Sequence, residues 1–119
     1  MNVICGEYLH FKGKPYIVYG TAVDESGEKY VLYQHDYGTK EFWIRPVAMF
    51  YEIIERDGMT MPRFKLVNEF PAEESFDKLM GIIVNESLKI NHSETLEVYD
   101  ITKADKEHLK IYIEKSTAQ

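Results

Sequence analysis

Short segments in which apolar and polar residues alternate, separated by turn residues, constrain the fold of residues 7–67 more than any other feature of the chain. The predicted strands are 15–23, 29–35, 41–45, 52–56 and 62–67, with one helical turn at 47–51. In the second strand, Val31 and Tyr33 share one face, and Tyr30 and Leu32 share the other. Five short strands with turns every roughly 8 to 12 residues are typical of a small β-barrel or sandwich.

Residues 68–119 show a different pattern, a helix followed by a hairpin. Pro71 precedes an acidic segment typical of a helix start. Apolar residues then recur at helical spacing, at Phe76, Leu79, Met80 and Ile83. Gly81 costs a helix about 1 kcal/mol relative to alanine, so a buried strand over 79–84 is the alternative. The hairpin is predicted from alternation at 96–99 and 109–113, with 102–107 as its polar connection.

Charge and cysteine content limit the partners and the compartment. The net charge is −6, from 14 basic and 20 acidic residues, which disfavours nucleic acid because its binding depends on lysine and arginine displacing counterions. Cys5 is the one cysteine, so a single chain can form neither a disulfide nor a cysteine-based zinc site. The N-terminus lacks a signal-peptide pattern, and apolar runs such as 80–84 are too short to span a bilayer. We therefore expect a cytoplasmic protein with no membrane contact.

Several motifs within residues 6–66 resemble those of one protein family. They are Gly6-Glu7-Tyr8-Leu9-His10-Phe11-Lys12-Gly13, Tyr16-Ile17-Val18-Tyr19-Gly20-Thr21-Ala22, Tyr33, Tyr37-Gly38, Trp43-Ile44-Arg45-Pro46, Met49-Phe50 and Pro62-Arg63-Phe64. In this order and spacing they resemble the bacterial domain-of-unknown-function family numbered sixteen fifty-three. The resemblance implies an SH3-like barrel and no assigned activity. His35 and Asp36 depart from the family's pattern, which has an apolar or small residue before the Tyr-Gly pair, so the resemblance implies no role for them.

The strand pattern and the resemblance together predict a mainly β protein. We expect an SH3-like β-barrel domain at residues 1–67. A smaller α+β extension at residues 68–119 would follow it, with one helix and one β-hairpin. The division into two parts follows from the change in periodicity near Pro71, where alternation with a period of two gives way to helical spacing.

Catalytic and metal-binding patterns are weak. The histidines, His10, His35, His92 and His108, are scattered and form no pair at helical spacing, so we expect no metal ion. Cys5 and His10 are the one tempting nucleophile and base, but a lone cysteine near a terminus is more often a small apolar residue. No phosphate-binding glycine motif occurs, and we expect no cofactor.

Aromatic and basic residues of the barrel half suggest a recognition surface. The predicted ligand-binding residues are Tyr8, His10, Lys12, Tyr37, Trp43, Arg45 and Arg63. Rigid aromatic rings beside arginine are common in binding sites, and arginine can bind a carboxylate or phosphate through two hydrogen bonds. The sequence therefore favours a non-catalytic module that binds a peptide, a protein partner or a small anionic ligand.

Three other interpretations compete with this one. Trp43 could fill the barrel while Arg45 and Arg63 pair with acids such as Glu52 or Asp57, which would leave no site. A small enzyme could use His10, Tyr37 and Arg45 on a substrate that it turns over. A structural protein could instead pair its C-terminal hairpin with a second copy to form a homodimer.

Overall fold

The computed structural model describes residues 2–86 and 88–117, and within them the fold has ten strands and two helices. The strands are β1 Gly6–His10, β2 Pro15–Val23, β3 Lys29–His35, β4 Phe42–Pro46, β5 Ile53–Arg56, β6 Met59–Pro62, β7 Phe64–Glu69, β8 Ile90–His92, β9 Val98–Asp105 and β10 Lys110–Lys115. The helices are α1 Val47–Phe50 and α2 Ala72–Asn85. The predicted mainly β fold, with a barrel, a helix and a C-terminal hairpin, is confirmed.

The barrel is a closed ring of six strands that draws on both halves of the chain. The order around the ring is β2, β3, β4, β8, β9 and β10, and parallel pairing of β10 with β2 closes it. Strand β1 pairs with the first half of the β2 edge that β10 also uses, and β7 pairs with β1, while β5 and β6 form a separate hairpin. The sequence placed the barrel within residues 1–67, whereas three of the strands in the closed ring come from residues 90–115. The SH3-like assignment stays a prediction.

Strand β2 has room for two neighbours on one edge because its pairing is irregular at Gly20. Its first half pairs with β1, through Pro15 to Val18, and its second half pairs with β10, through Thr21 to Val23. The register against β3 shifts between Val18 and Gly20, where Gly20 has φ 147°. Such a bulge bends a strand and re-aims its end. That bend lets the C-terminal hairpin close the ring.

Strand β3 divides the interior into two cores because both of its faces are buried. Tyr30 and Leu32 pack into the core inside the closed ring. Val31 and Tyr33 pack into a second core against β1, α1 and β7. The alternation seen in the sequence therefore corresponds to two apolar clusters, and Val31 is fully buried, as are Val18 and Ile44 on the flanking strands.

Helix α2 covers the ring with the face that the sequence predicted. Phe76 and Leu79 are buried in the ring core, and Met80 and Ile83 pack against it. The helix continues through Gly81, so the alternative of a buried strand over 79–84 is wrong. Three further strands, β1, β6 and β8, were not among the predicted ones; each has five residues or fewer, which is too short for alternation to be read with certainty from the sequence.

Gly81 gives a direct test of this helix. A Cβ added there meets no atom within 4 Å, so Gly81→Ala should raise the free energy of unfolding by about 0.5–1 kcal/mol. Gly27 also has open space around it, but its φ is +88°. Gly27→Ala should therefore lower the free energy of unfolding by about 1 kcal/mol, because alanine is strained at a positive φ. The two glycines differ in backbone conformation and not in the space around them. Urea unfolding of both variants measures the contrast, and a destabilising Gly81→Ala would contradict the helix.

Candidate functional site

An open cleft of about 200 Å³ lies at one end of the second core. Its lining residues are His10, Tyr16, Tyr33, His35, Trp43, Arg45, Phe64 and Ser93. Pairing between β3 and β4 explains part of this set, because Tyr33 lies opposite Trp43 and Val31 lies opposite Arg45. Residues two apart on a strand share a face, so Trp43 and Arg45 reach the cleft together.

Stacked aromatic rings form one wall of the cleft. The His35 ring stacks on Trp43, with centroids 5.5 Å apart and planes within 9°. His35 also stacks on Tyr37, at 4.9 Å and 6°. Tyr16 packs edge-on against Phe64, and its hydroxyl is 3.0 Å from that of Tyr37. The stacked and edge-on contacts hold these rings in place against one another.

Arg45 carries the positive charge of the cleft. Its side chain is 16% exposed, and its guanidinium carbon lies 5.7 Å from the centroid of the Phe64 ring. Glu94 approaches it loosely, with Nη1 and Oε1 3.9 Å apart. Burial raises the pKa of Tyr33, and the neighbouring Arg45 charge opposes that rise. The guanidinium is thus held between aromatic groups, with one weak carboxylate partner.

Three polar atoms around the cleft are buried without a hydrogen-bond partner among residues 2–86 and 88–117. They are Trp43 Nε1, Arg45 Nε and Ser93 Oγ, and Arg63 Nε is a fourth such atom in the chain. Leaving a buried donor unpaired costs about 1–3 kcal/mol. All three groups at the cleft can donate a hydrogen bond. The cleft therefore gathers donors that lack an acceptor.

Ser93 reaches the cleft through the turn that follows β8. Its backbone N–H donates to the carbonyl oxygen of Ile44 at 2.9 Å, which fixes the turn to β4. The turn itself is held by buried His92, whose Nδ1 accepts hydrogen bonds from the N–H groups of Glu94 and Thr95. A residue from the C-terminal part of the chain thereby becomes part of a site otherwise built from residues 10–64.

His10 is uncharged at neutral pH. Burial, together with the positive charges of Arg45, Arg63 and Lys12, lowers its pKa to about 4. Its Nδ1 accepts a hydrogen bond from the backbone N–H of Lys12 at 3.1 Å. The ring proton is therefore on Nε2, and neutral His10 adds another donor to the lining of the cleft.

The pKa of His10 predicts a pH effect on stability. A histidine whose folded pKa lies below its usual 6.5 binds protons more readily when unfolded, so acid favours unfolding. His10 should therefore lower the stability of the wild type as pH falls from 6.5 towards 4. His10→Gln should lose a smaller part of its stability over the same interval, measured by urea unfolding at several pH values. Parallel pH profiles for the two proteins would contradict this assignment.

The structure brings together only part of the predicted site. His10, Trp43 and Arg45 line the cleft, and Tyr37 joins it through its stack on His35. The residues that sequence reasoning missed are Tyr16, Tyr33, His35, Phe64 and Ser93. Tyr33 and His35 share a strand face with each other, which was a usable signal, whereas nothing in the sequence connects Ser93 with the cleft.

The other three predicted residues lie elsewhere. Tyr8 is 1% exposed in the second core, where its hydroxyl donates to the carbonyl of Ile4 and lies 2.8 Å from that of Tyr51. Lys12 is exposed, with Nζ 5.7 Å from the Phe11 ring centroid. Arg63 forms an ion pair with Glu52 at 2.6 Å, as the competing interpretation anticipated for this residue.

Larger depressions lie elsewhere on the surface. Three of them measure about 350, 500 and 470 Å³. Their linings include none of the four residues with buried, unpartnered side-chain atoms. Over the described ranges, no group of three or more His, Cys, Asp or Glu side chains could hold a metal ion. The helices described there are too short or too polar to cross a membrane.

Comparison with known proteins identifies the family. The family model described as "Protein of unknown function (DUF1653)" matches residues 6–66, about half of the chain. Neither the curated proteins nor the solved structures include a significant match. The matched segment contains seven of the eight residues that line the cleft, all except Ser93. The chain therefore belongs to the DUF1653 family of proteins of unknown function.

Proposed function

We propose that the protein is a non-catalytic binding module that recognises a small anionic group in the aromatic cleft. The observation that carries the proposal is the set of three buried donors without partners, on Trp43, Arg45 and Ser93. A ligand whose acceptor oxygens reach these atoms would give them the partners that they lack. Because hydrogen bonds to charged groups are about twice as strong as neutral ones, an anion is the partner that such donors favour.

The electrostatics of the cleft support an anion of limited charge. Arg45 is the cation that lines the cleft, and His10 stays neutral at pH 7. The chain as a whole carries −6, so a local positive group is an exception in a negative field. A long polyanion would meet that field along its length, whereas a single small anionic group would not.

The competing interpretations find less support. For an enzyme that uses His10, Tyr37 and Arg45, His10 is a poor base at neutral pH, because its Nδ1 already accepts a hydrogen bond from the backbone N–H of Lys12 and its pKa is about 4. Both edges of β10 are paired within the chain, with β9 and β2, over Lys110 to Tyr112. Those residues of the hairpin offer no free edge to a second copy. The single tryptophan, Trp43, stacks on His35 at the cleft and is only half-buried.

The experiment uses Trp43 as its own reporter, because it is the one tryptophan and lines the cleft. Acetate, benzoate and inorganic phosphate are titrated while tryptophan fluorescence and the melting temperature are followed. We expect at least one of them to change the fluorescence saturably and to raise the melting temperature by mass action. If none of the three does either, the proposed function is wrong.

Variants of two arginines separate binding from folding. Arg45→Gln should weaken binding about 10- to 100-fold, because it removes a charge-assisted hydrogen bond. It should lower the melting temperature by only a few degrees, since the ion pair with Glu94 is loose and the main loss is the packing of the guanidinium on Phe64. Arg56→Gln is the matched control: Arg56 also lies over an aromatic ring, Phe11, but outside the cleft. Equal affinities for the two variants would contradict the proposal.

A further inference from the structure

We infer that the ligand of this cleft carries one carboxylate on a flat ring, and that Glu94 at the rim selects against doubly charged anions. The inference rests on the proposed function and narrows it to a chemical class.

The size and walls of the cleft suit one ring. A cavity of about 150 Å³ is known to hold a benzene molecule, and this cleft measures about 200 Å³. The excess leaves room for one small polar group. Tyr16, Phe64 and Trp43 supply flat apolar surface, against which an aromatic ring packs in stacked or edge-on geometry.

The donors match a carboxylate. Arg45 Nε, Trp43 Nε1 and Ser93 Oγ each have a proton to donate and no acceptor within the described residues. An ionised carboxylate accepts hydrogen bonds at about four positions on two oxygens and donates none. A neutral amide would bring two donor protons of its own, and of the three groups only the Ser93 hydroxyl could accept one of them. The donors therefore distinguish an acid from its amide.

Glu94 limits the charge that the cleft accepts. Its carboxylate lies 3.9 Å from Nη1 of Arg45, and its side chain is 42% exposed. Besides Arg45, two cations lie near His10, which lines the cleft. Lys12 is exposed, and Arg63 is paired with Glu52. Arg45 and Glu94 together leave little net charge at the rim, so a dianion gains from Arg45 but is repelled by Glu94.

The test compares four probes on the full chain at pH 8, followed by Trp43 fluorescence. Benzoate should bind about tenfold more tightly than acetate, because its ring buries apolar surface. It should also bind about tenfold more tightly than benzamide, which lacks the charge. Phenyl phosphate is a dianion at this pH and should bind more weakly than benzoate. If acetate, benzamide or phenyl phosphate binds as tightly as benzoate, the inference is overturned.

Glu94→Gln tests the selecting residue. This variant should reduce the preference for benzoate over phenyl phosphate about threefold, the effect expected of one exposed charge. Glu97→Gln, in the same turn but paired with Lys115, should leave the preference unchanged. An unchanged preference in Glu94→Gln overturns the role of Glu94. Binding of acetate and phosphate that depends on Arg45, without a preference for benzoate, would sustain the proposed function and reject this inference. No binding of any probe would reject both.

Discussion

A chain that ends at residue 67 should fail to fold cooperatively. The truncation removes α2, β8, β9 and β10, which cover one face of β2, β3 and β4. It would expose apolar side chains that the complete protein buries at 0–5% exposure: Tyr19, Ala22, Tyr30, Leu32, Phe42 and Ile44. Fully burying one large apolar side chain contributes about 1.5–3 kcal/mol, and a domain has only about 5–15 kcal/mol in total.

Circular dichroism during urea titration, with the full chain as reference, measures this effect. The full chain should show one sigmoidal transition, and the truncated chain a gradual change or aggregation. A sharp transition in the truncated chain, with dispersed amide resonances, would mean that residues 1–67 form the independent barrel that the sequence suggested. In that case the closed ring would be an addition to a self-sufficient domain.

Leu79→Ala should lower the free energy of unfolding by about 2–5 kcal/mol. Leu79 is 2% exposed and packs into the ring core from α2, so its removal leaves a cavity between helix and barrel. Val84 lies on the same helix and is 83% exposed. Val84→Ala should change stability by no more than about 0.5 kcal/mol, which controls for helix propensity.

Urea unfolding of the two helix variants measures the difference. A loss below about 1 kcal/mol for Leu79→Ala would contradict the packing of α2 on the ring. An equally large loss for Val84→Ala would assign the effect to the helix itself. Neither variant lies in the cleft, so benzoate binding by the folded fraction should stay as in the wild type.

Strand periodicity predicted only part of the candidate site. Trp43 and Arg45 could be placed on one face because residues two apart on a strand point the same way. Tyr8 has the same parity as His10, but β1 lies between β2 and β7, and Tyr8 is buried in the second core. Parity assigns a face to each side chain but does not show which end of the strand remains open.

Local pattern was sufficient to predict several of the elements, although not the short strands β1, β6 and β8. The alternation at 29–35, the turn at 47–51 and the helical spacing from Phe76 to Ile83 each depend on neighbours a few residues away, and each corresponds to the observed β3, α1 and α2. Membership of the family can likewise be recognised from motifs that follow one another in order along residues 6–66. These properties arise from interactions that are short-range along the chain.

Only the tertiary structure decided how the barrel closes and what completes the cleft. Closure requires β10 to pair with β2, and β8 to pair with β4, across long stretches of chain. Ser93 enters the cleft because its N–H bonds to the carbonyl of Ile44. Parallel pairing between distant strands depends on which edges the rest of the fold leaves free, and that property belongs to the assembled sheet and to no single segment of sequence.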